Sequence, residues 1–316
     1  LYIAGTKPLK FTDQEKRKLK RFVQLGGLIV FHPDTASIGF KNSGKKLLAE
    51  LWPKLELTRV DLSTHPLGKI YLPIRSRRIR IDQLASPTRV FAFLIHGSPA
   101  NAWERRLYVT RRDAFALGAD LHYFANDRTP IEKMPTKLTR FGEIFTKPFP
   151  STNRTITLAR IKYGDNPHRW DPEPLAFERF ARLLAEKNKI KCDTKIITPE
   201  QLPSSGIKIA HLTGVDDPNF TPKQLDAIHT WLRTGGTLII DQAGGPVQRG
   251  NKSTFDEAIH KIIADWFGED ALVPVLSTAP ILKDLGKITY RHVLSVQRKK
   301  MHPKFCLLYT SPSPRD

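Results

Sequence analysis

The side chains best suited to chemistry stand just after short apolar segments in the second half of the chain. The weak catalytic candidates are Asp165, His168, Asp216 and Asp241. Carboxylates and an imidazole bind metal ions or activate water. Because ligands of open parallel sheets bind beyond the carboxyl ends of the strands, a substrate would lie near these positions. The pattern keeps a hydrolase, metal-assisted or not, among the hypotheses.

The same acidic residues have a simpler structural interpretation, which we favour. Asp216, Asp217 and Pro218 form a typical turn sequence. Asp171 before Pro172 is typical of a helix cap. No metal site and no cofactor is therefore assigned. The candidates for ligand contact in this part of the chain are Trp170, Thr213, Gly214, Gly244 and Gly245.

The elements that would position these residues include a unit that occurs twice. Residues 12–32 and 221–241 align without a gap, at an offset of 209 (221 minus 12). Each copy continues as an amphipathic helix, stops at a double glycine and ends in a short apolar segment. Such continuous apolar runs are typical of strands covered on both faces. The unit therefore predicts a strand, a helix and a second strand in a parallel sheet.

The two copies of this unit share their helix-end signals. The predicted capping boxes are Thr12 with Glu15 and Thr221 with Gln224. Gly26 and Gly235 are predicted to end the helices in the left-handed conformation. After the first copy, Pro33, Asp34 and Gly44 predict a loop, and the pattern from Arg111 predicts a helix that runs into a last strand.

A second shared motif predicts two tandem copies of one domain: LSTHPL begins at Leu62 and LSTAPI at Leu276. The final residues, CLLYTSPSPRD, keep no periodicity and resemble translated adapter sequence. The predicted divisions are a first copy at 1–128 that lacks its N-terminal part, a proline-containing linker at 129–154, a second copy at 155–304 that lacks its C-terminal part, and a non-native tail at 305–316.

Five motifs follow one another in the second half of the chain: ARIKYG, WDPEPLAFERFARLL, HLTG, GGTLIIDQAGG and LSTAPI. In this order they resemble the domain-of-unknown-function family 4159 (DUF 4159) over most of 155–295. The first half is similar to the rest of that pattern, through LSTHPL and VFAFLIHGSPANAWE. That family is similar to the class I glutamine amidotransferase-like superfamily. The resemblance implies a bacterial protein with two α/β, flavodoxin-like three-layer domains and mainly parallel sheets. The strand–helix–strand pattern independently predicts an α/β class.

An active amidotransferase needs a thiol nucleophile at a sharp strand-to-helix turn. The comparable turns here read HLTGVDD and IAGTKP and contain no cysteine, while Cys192 lies in an earlier predicted strand. The leading hypothesis is therefore a non-catalytic binding or assembly module. The implied partners are other domains of a longer parent protein or a protein partner. The rival hypothesis is the hydrolase that would use the acidic positions of the second copy.

The strong positive charge suggests a second alternative, binding of an anion or a nucleic acid by the first copy. The net charge is +20, and residues 1–150 hold 27 Lys and Arg against 13 Asp and Glu. The candidate anion-binding residues are Arg75, Arg77, Arg78 and Arg80. Most other basic residues are dispersed, so a nucleic acid is not the expected partner. No apolar run approaches the roughly 20 residues that span a bilayer, and no compartment is assigned.

Overall fold

The structure, a computed structural model, describes residues 1–70, 72–75, 79–125, 148–243, 254–274 and 306–308. The chain divides into two compact units. The first comprises Leu1–Asn153 and Glu173–Lys191, and the second comprises Arg154–Pro172 and Cys192–Asp316. The predicted linker is described only from residue 148, and the predicted tail only at residues 306–308. The predicted copy boundaries stay predictions.

A five-stranded mixed sheet forms the centre of the first unit, in the order β1-β2-β5-β4-β3. Its strands are β1 (Tyr2–Gly5), β2 (Ile29–Pro33), β3 (Leu57–Arg59), β4 (Arg80–Ala85) and β5 (Val90–His96). The strands β1, β2 and β5 are parallel, whereas β4 runs antiparallel to both of its neighbours. The helices of this part are α1 (Asp13–Gln24), α2 (Ile38–Leu51), α3 (Pro99–Glu104) and α4 (Arg112–Ala125).

Apolar side chains cover this sheet on both faces. On one face, α1 and α2 pack against the sheet through a core that includes Leu19, Val23, Phe31, Phe40, Leu48 and Leu94. On the other face, α4 packs through a core that includes Val30, Ile81, Phe93, Ile95, Leu117 and Leu121. All five residues of β2 are buried, which confirms the prediction of a strand covered on both faces for the first copy. The prediction was wrong for the second copy, because Ile239 in the strand Thr237–Gln242 is 47% exposed.

The second unit contains a four-stranded sheet in the order β7-β6-β8-β9. Its strands are β6 (Arg154–Ile161), β7 (Ile190–Ile197), β8 (Ile209–Gly214) and β9 (Thr237–Gln242). The strands β6, β8 and β9 are parallel. The remaining helices are α5 (Pro167–Trp170), α6 (Ala176–Asn188), α7 (Pro222–Arg233) and α8 (Thr254–Phe267), of which α6 falls in the first unit. A short antiparallel pair joins β10 (Leu272–Pro274) and β11 (Cys306–Leu308).

The core of the second unit lies where α7 and α8 pack on the sheet. It includes Ile161, Leu212, Ile228, Trp231, Phe255 and Ile263. The chain is therefore of the α/β class, with one mixed and one parallel sheet flanked by helices. In the described part of the chain, no helix is both long enough and apolar enough to cross a membrane.

Both predicted capping boxes are present. At the start of α1, the Thr12 hydroxyl accepts a hydrogen bond from the Glu15 backbone amide. At the start of α7, the Thr221 hydroxyl accepts one from the Gln224 backbone amide. In return, the side chains of Glu15 and Gln224 each accept a hydrogen bond from the backbone amide of the capping threonine, at 2.8 Å and 3.0 Å. These reciprocal bonds satisfy amides that have no partner inside the helix.

The double glycines end α1 and α7 in the same way. Gly26 and Gly235 have φ angles of 101° and 89°, as predicted for left-handed helix ends. The amide of Gly27 donates to the Phe22 carbonyl at 3.0 Å, which closes the last turn of α1. A β-carbon at Gly27 would lie 2.3 Å from the Phe22 ring, so this position has no room for a side chain.

Two sequence predictions about the first half were wrong. Gly44, predicted to lie in a loop, is buried in the middle of α2, and a β-carbon there would meet Phe31 at 3.8 Å. A β-carbon would thus be at ordinary contact distance, and the segment is helical because its buried apolar side chains recur at helical spacing. The segment after Arg111, predicted to turn into a strand, stays helical through Ala125. Its apolar side chains Leu117 and Leu121 are buried at helical spacing on the sheet.

Candidate functional site

Tyr163 closes the turn that follows β8 in the second unit. Its hydroxyl lies 2.9 Å from the carbonyl oxygen of Thr213 and 3.1 Å from that of Arg169. Burial raises the pKa of Tyr163, so the hydroxyl remains a donor at neutral pH. A β-carbon at Gly214 would lie 2.1 Å from this hydroxyl and 2.5 Å from the ring of Phe255. The turn therefore has no space for a side chain at Gly214.

Asp216 and Asp217 shape the loop after this turn. The guanidinium of Arg169 contacts the Asp216 carboxylate at 2.8 Å and the Asp217 carbonyl oxygen at 2.7 Å. The carboxylate of Asp217 accepts the Asn219 amide at 2.8 Å, which is a typical turn contact. The predicted turn role is thus confirmed, and the Asp216 carboxylate is engaged in an ion pair.

Three further predicted residues lie around α5. His168 is in the helix, and its amide donates to the Asn166 carboxamide at 3.1 Å. Trp170 is buried in the core of the second unit, with 7% of its surface exposed. Asp165 is exposed in the loop before the helix.

Asp171 has a different role from the predicted one. It stands at the C-terminal end of α5, and its carboxylate forms an ion pair with the buried guanidinium of Arg160. The prediction that it caps the following helix was wrong, since Leu175 occupies the cap of α6. A buried arginine beside the carboxylate explains why the pairing prevails, because an uncompensated charge in the interior would be costly.

Asp241 lies at the end of β9, next to a histidine on β8. The Asp241 carboxylate is 4.0 Å from Nε2 of His211, and its side chain is 67% exposed. Burial, together with the charge of Arg160, lowers the pKa of His211 to about 4. The imidazole is therefore neutral at pH 7. Thr213 is paired with Asp241 in the strand register, but its side chain is buried.

At the ends of β8 and β9, the exposed carboxylate of Asp241 thus lies beside the neutral imidazole of His211. Within residues 148–243 and the other described ranges, no group of three or more His, Cys, Asp or Glu side chains is arranged to hold a metal ion. Gly244 and Gly245 lie outside the described residues. Of the candidate residues, the structure pairs Thr213 with Asp241 and places Asp165 and His168 around α5, whereas His211 beside Asp241 was not predicted.

The first unit contains a polar cluster that sequence reasoning missed. Asp82 on β4 contacts Nε of Arg59 and Nε2 of His96, each at 2.6 Å. Burial alone would raise the pKa of the Asp82 carboxyl, but its hydrogen bonds and ion pairs outweigh burial and hold the pKa below its usual value. The available signal was an aspartate next to the apolar Ile81, since a buried aspartate rarely lacks a partner.

A second pair at this edge joins Tyr2 and His32. The Tyr2 hydroxyl is 2.8 Å from Nδ1 of His32, and His32 is fully buried at the end of β2. Burial lowers the pKa of His32, although the charge of Asp34 and the backbone of Gly97 oppose that effect. The hydroxyl of Ser98 donates to Asp34 at 3.1 Å. These contacts fasten the ends of β1, β2 and β5.

The predicted arginine cluster is described only in part. Arg75 and Arg80 are exposed, and Arg80 begins β4. Arg77 and Arg78 lie outside the described residues. The structure therefore leaves anion binding at these four arginines as a prediction.

The comparison with protein families bears on the second half of the chain. Residues 157–305 match the model of a family described as Domain of unknown function (DUF4159). The match confirms the family resemblance for this segment. The first half lies outside the matched residues. No curated protein matches the chain.

Proposed function

We propose that this chain is a non-catalytic binding or assembly module with a degenerate amidotransferase-like fold. The observation that supports this most is the closed turn after β8. Gly214 ends β8 just before the turn that would carry the nucleophile, and Tyr163 with Phe255 fills the space beside it, so no side chain fits there. An acyl-transfer enzyme of this type needs an exposed thiol and a base within hydrogen-bond reach.

The thiol of Cys192 is placed unfavourably for catalysis. Cys192 lies on β7 and is buried, and burial raises the pKa of its thiol. A raised pKa lowers the thiolate fraction at neutral pH, and the thiolate is the reactive form. Cys192 is therefore not placed to act as a reactive nucleophile.

Equivalent strand pairing supports the proposal of two tandem copies. Tyr2 is paired with Val30 in the first unit, and His211 is paired with Ile239 in the second. Both differences are 209 (211 minus 2 and 239 minus 30). An aromatic ring also covers the end of β1 and the end of β8. A β-carbon at Gly5 would meet the Phe40 ring, and one at Gly214 would meet the Phe255 ring.

The strand orders support a flavodoxin-like parent fold. If β8 and β9 correspond to β1 and β2, the two sheets together give the order β7, β6, first strand, second strand, β5. With the antiparallel strands β3 and β4 left out of the count, these five strands have the order 2-1-3-4-5, which is the flavodoxin-like arrangement. Each unit would then contain a different part of the same sheet.

Thiol labelling of the whole chain tests the absence of a nucleophile. The native protein is treated with iodoacetamide, and peptide mapping separates Cys192 from Cys306. We expect Cys192 to react only after denaturation, and addition of glutamine to release no ammonia. Rapid labelling of native Cys192 that also abolishes ammonia release would overturn the proposal.

The rival function, hydrolysis at Asp241, is favoured by one observation. His211 lies beside this exposed carboxylate, and a neutral imidazole is able to accept a proton. Metal analysis of the purified chain and of Asp241→Ala separates the two functions. Stoichiometric metal that the variant loses would favour the hydrolase, whereas equal metal content in both proteins agrees with the binding module.

A further inference from the structure

A groove of about 450 Å³ lies in the first unit, between the start of α1 and the middle of α2. We call it the α1–α2 groove. The residues that matter here are three lysines and three apolar side chains, Lys10, Lys16, Lys46, Leu9, Phe11 and Leu47. None of these residues belongs to the polar cluster of the first unit around Asp82.

The apolar residues form a floor that is continuous with the core. Leu47 belongs to the buried core on this face of the sheet, and Leu9 and Phe11 are partly buried against it. The amide of Leu9 donates to the Ser43 hydroxyl at 2.8 Å, which ties the segment before α1 to α2. The groove is therefore preformed, so a ligand would not need to order it.

The walls of the groove are positively charged. Residues 7–50 hold 10 Lys and Arg against four Asp and Glu. Lys10 and Lys46 are exposed, and neither forms an ion pair within the described residues. Each ammonium group is thus able to meet an incoming anion.

One carboxylate of the chain already occupies this groove. Oε1 of Glu50 lies 2.6 Å from Nζ of Lys16, and the Glu50 side chain is half exposed. This internal ion pair shows that the groove geometry suits a carboxylate. It also means that an incoming carboxylate competes with Glu50 for Lys16.

We propose that the α1–α2 groove binds an acidic segment of a partner protein. An apolar side chain of that segment lies on the Leu9, Phe11 and Leu47 floor, and flanking Asp or Glu side chains contact Lys10 and Lys46. This inference rests on the proposed role as a binding or assembly module and names the class of partner.

The apolar floor favours a peptide over a nucleic acid. A phosphate backbone gains from positive charge alone and brings no apolar group to cover the floor. An acidic, partly apolar peptide gains both burial of apolar surface and charge contacts.

Fluorescence anisotropy of the whole chain tests this inference. The probe is a short labelled peptide of alternating Asp or Glu and Leu or Phe, compared with its Asn and Gln counterpart and with a short DNA duplex. We expect the acidic peptide to bind most tightly, with an affinity that falls as salt rises. Tighter binding of the duplex, or equal binding of the acidic and amide peptides, would overturn the proposal.

Charge-reversal variants locate the binding. The double variant Lys10→Glu with Lys46→Glu should bind the acidic peptide at least about tenfold more weakly, because two attractive contacts become repulsive. The matched control, Lys195→Glu with Lys208→Glu, makes the same charge change at exposed positions of the second unit and should stay within about twofold of the parent. Equal losses in the two double variants would contradict a site in the groove.

A variant that binds the peptide more tightly than the parent separates an effect on binding from an effect of poor folding. Glu50→Gln removes the closer of the two carboxylates that contact Lys16, leaving Asp13 at 3.5 Å, and should strengthen binding of the acidic peptide by about threefold. Unchanged or weaker binding in this variant would contradict competition at Lys16. A chain that binds the peptide yet hydrolyses a substrate overturns only the proposed function. One that neither binds it nor hydrolyses anything overturns only this inference.

Discussion

Replacing Gly214 by alanine should destabilise the second unit strongly, because the new β-carbon has no space. It would lie 2.1 Å from the Tyr163 hydroxyl and 2.5 Å from the Phe255 ring, whereas ordinary contacts are at 3.4 to 4 Å. Tyr163 would have to move by more than 1 Å, which breaks its contacts with two carbonyl oxygens. Overpacking of about 1–3 kcal/mol and lost hydrogen bonds of about 1 kcal/mol together give about 3 kcal/mol.

The matched control is Gly5→Ala in the first unit, where the β-carbon would meet the Phe40 ring at a milder 3.2 Å. We expect it to cost about 1 kcal/mol or less, because a small ring shift relieves the contact. Urea-dependent hydrogen exchange measures both, since it reports the opening free energy of β8 and β1 separately. A Gly214→Ala chain whose β8 amides exchange as slowly as those of the parent would refute the closed turn.

Two further predictions concern buried charge. As pH falls from 7 to 4.5, the second unit should lose up to about 3 kcal/mol of stability. The reason is that His211 is protonated near pH 6.5 in the unfolded state, while its pKa in the folded state is about 4. Urea unfolding of His211→Gln should show a smaller loss of stability over this pH range, and an equal loss would contradict the assignment. Asp82→Ala should destabilise the first unit by about 2 kcal/mol, because it leaves the partly buried His96 ring without its carboxylate. A urea midpoint equal to that of the parent would contradict this.

Local signals in the sequence predicted the repeated unit well. The helix bounds Asp13–Gln24 and Pro222–Arg233 follow from capping threonines and double glycines. These signals act within a few residues, so they are readable without knowing the fold. The apolar run around Ile29 predicted a buried strand for the same reason.

Long-range contacts explain what the sequence did not reveal. Gly44 is a residue type typical of loops, but it lies in α2, whose buried side chains such as Leu48 pack on the sheet. The cluster around Asp82 depends on pairing β4 with both β3 and β5, which no local pattern encodes. Asp171 follows the same rule, because its partner Arg160 lies on a different element.

The measurement that tests the central claim most directly is hydrolysis by the purified chain. Glutamine, an aryl ester and an aryl phosphate are incubated with the chain and with Asp241→Ala, with and without added Mg²⁺, Mn²⁺ or Zn²⁺, and product is followed over hours. A non-catalytic module predicts product formation equal to the protein-free blank in every case. Turnover that scales with the concentration of the chain and disappears in Asp241→Ala would contradict it.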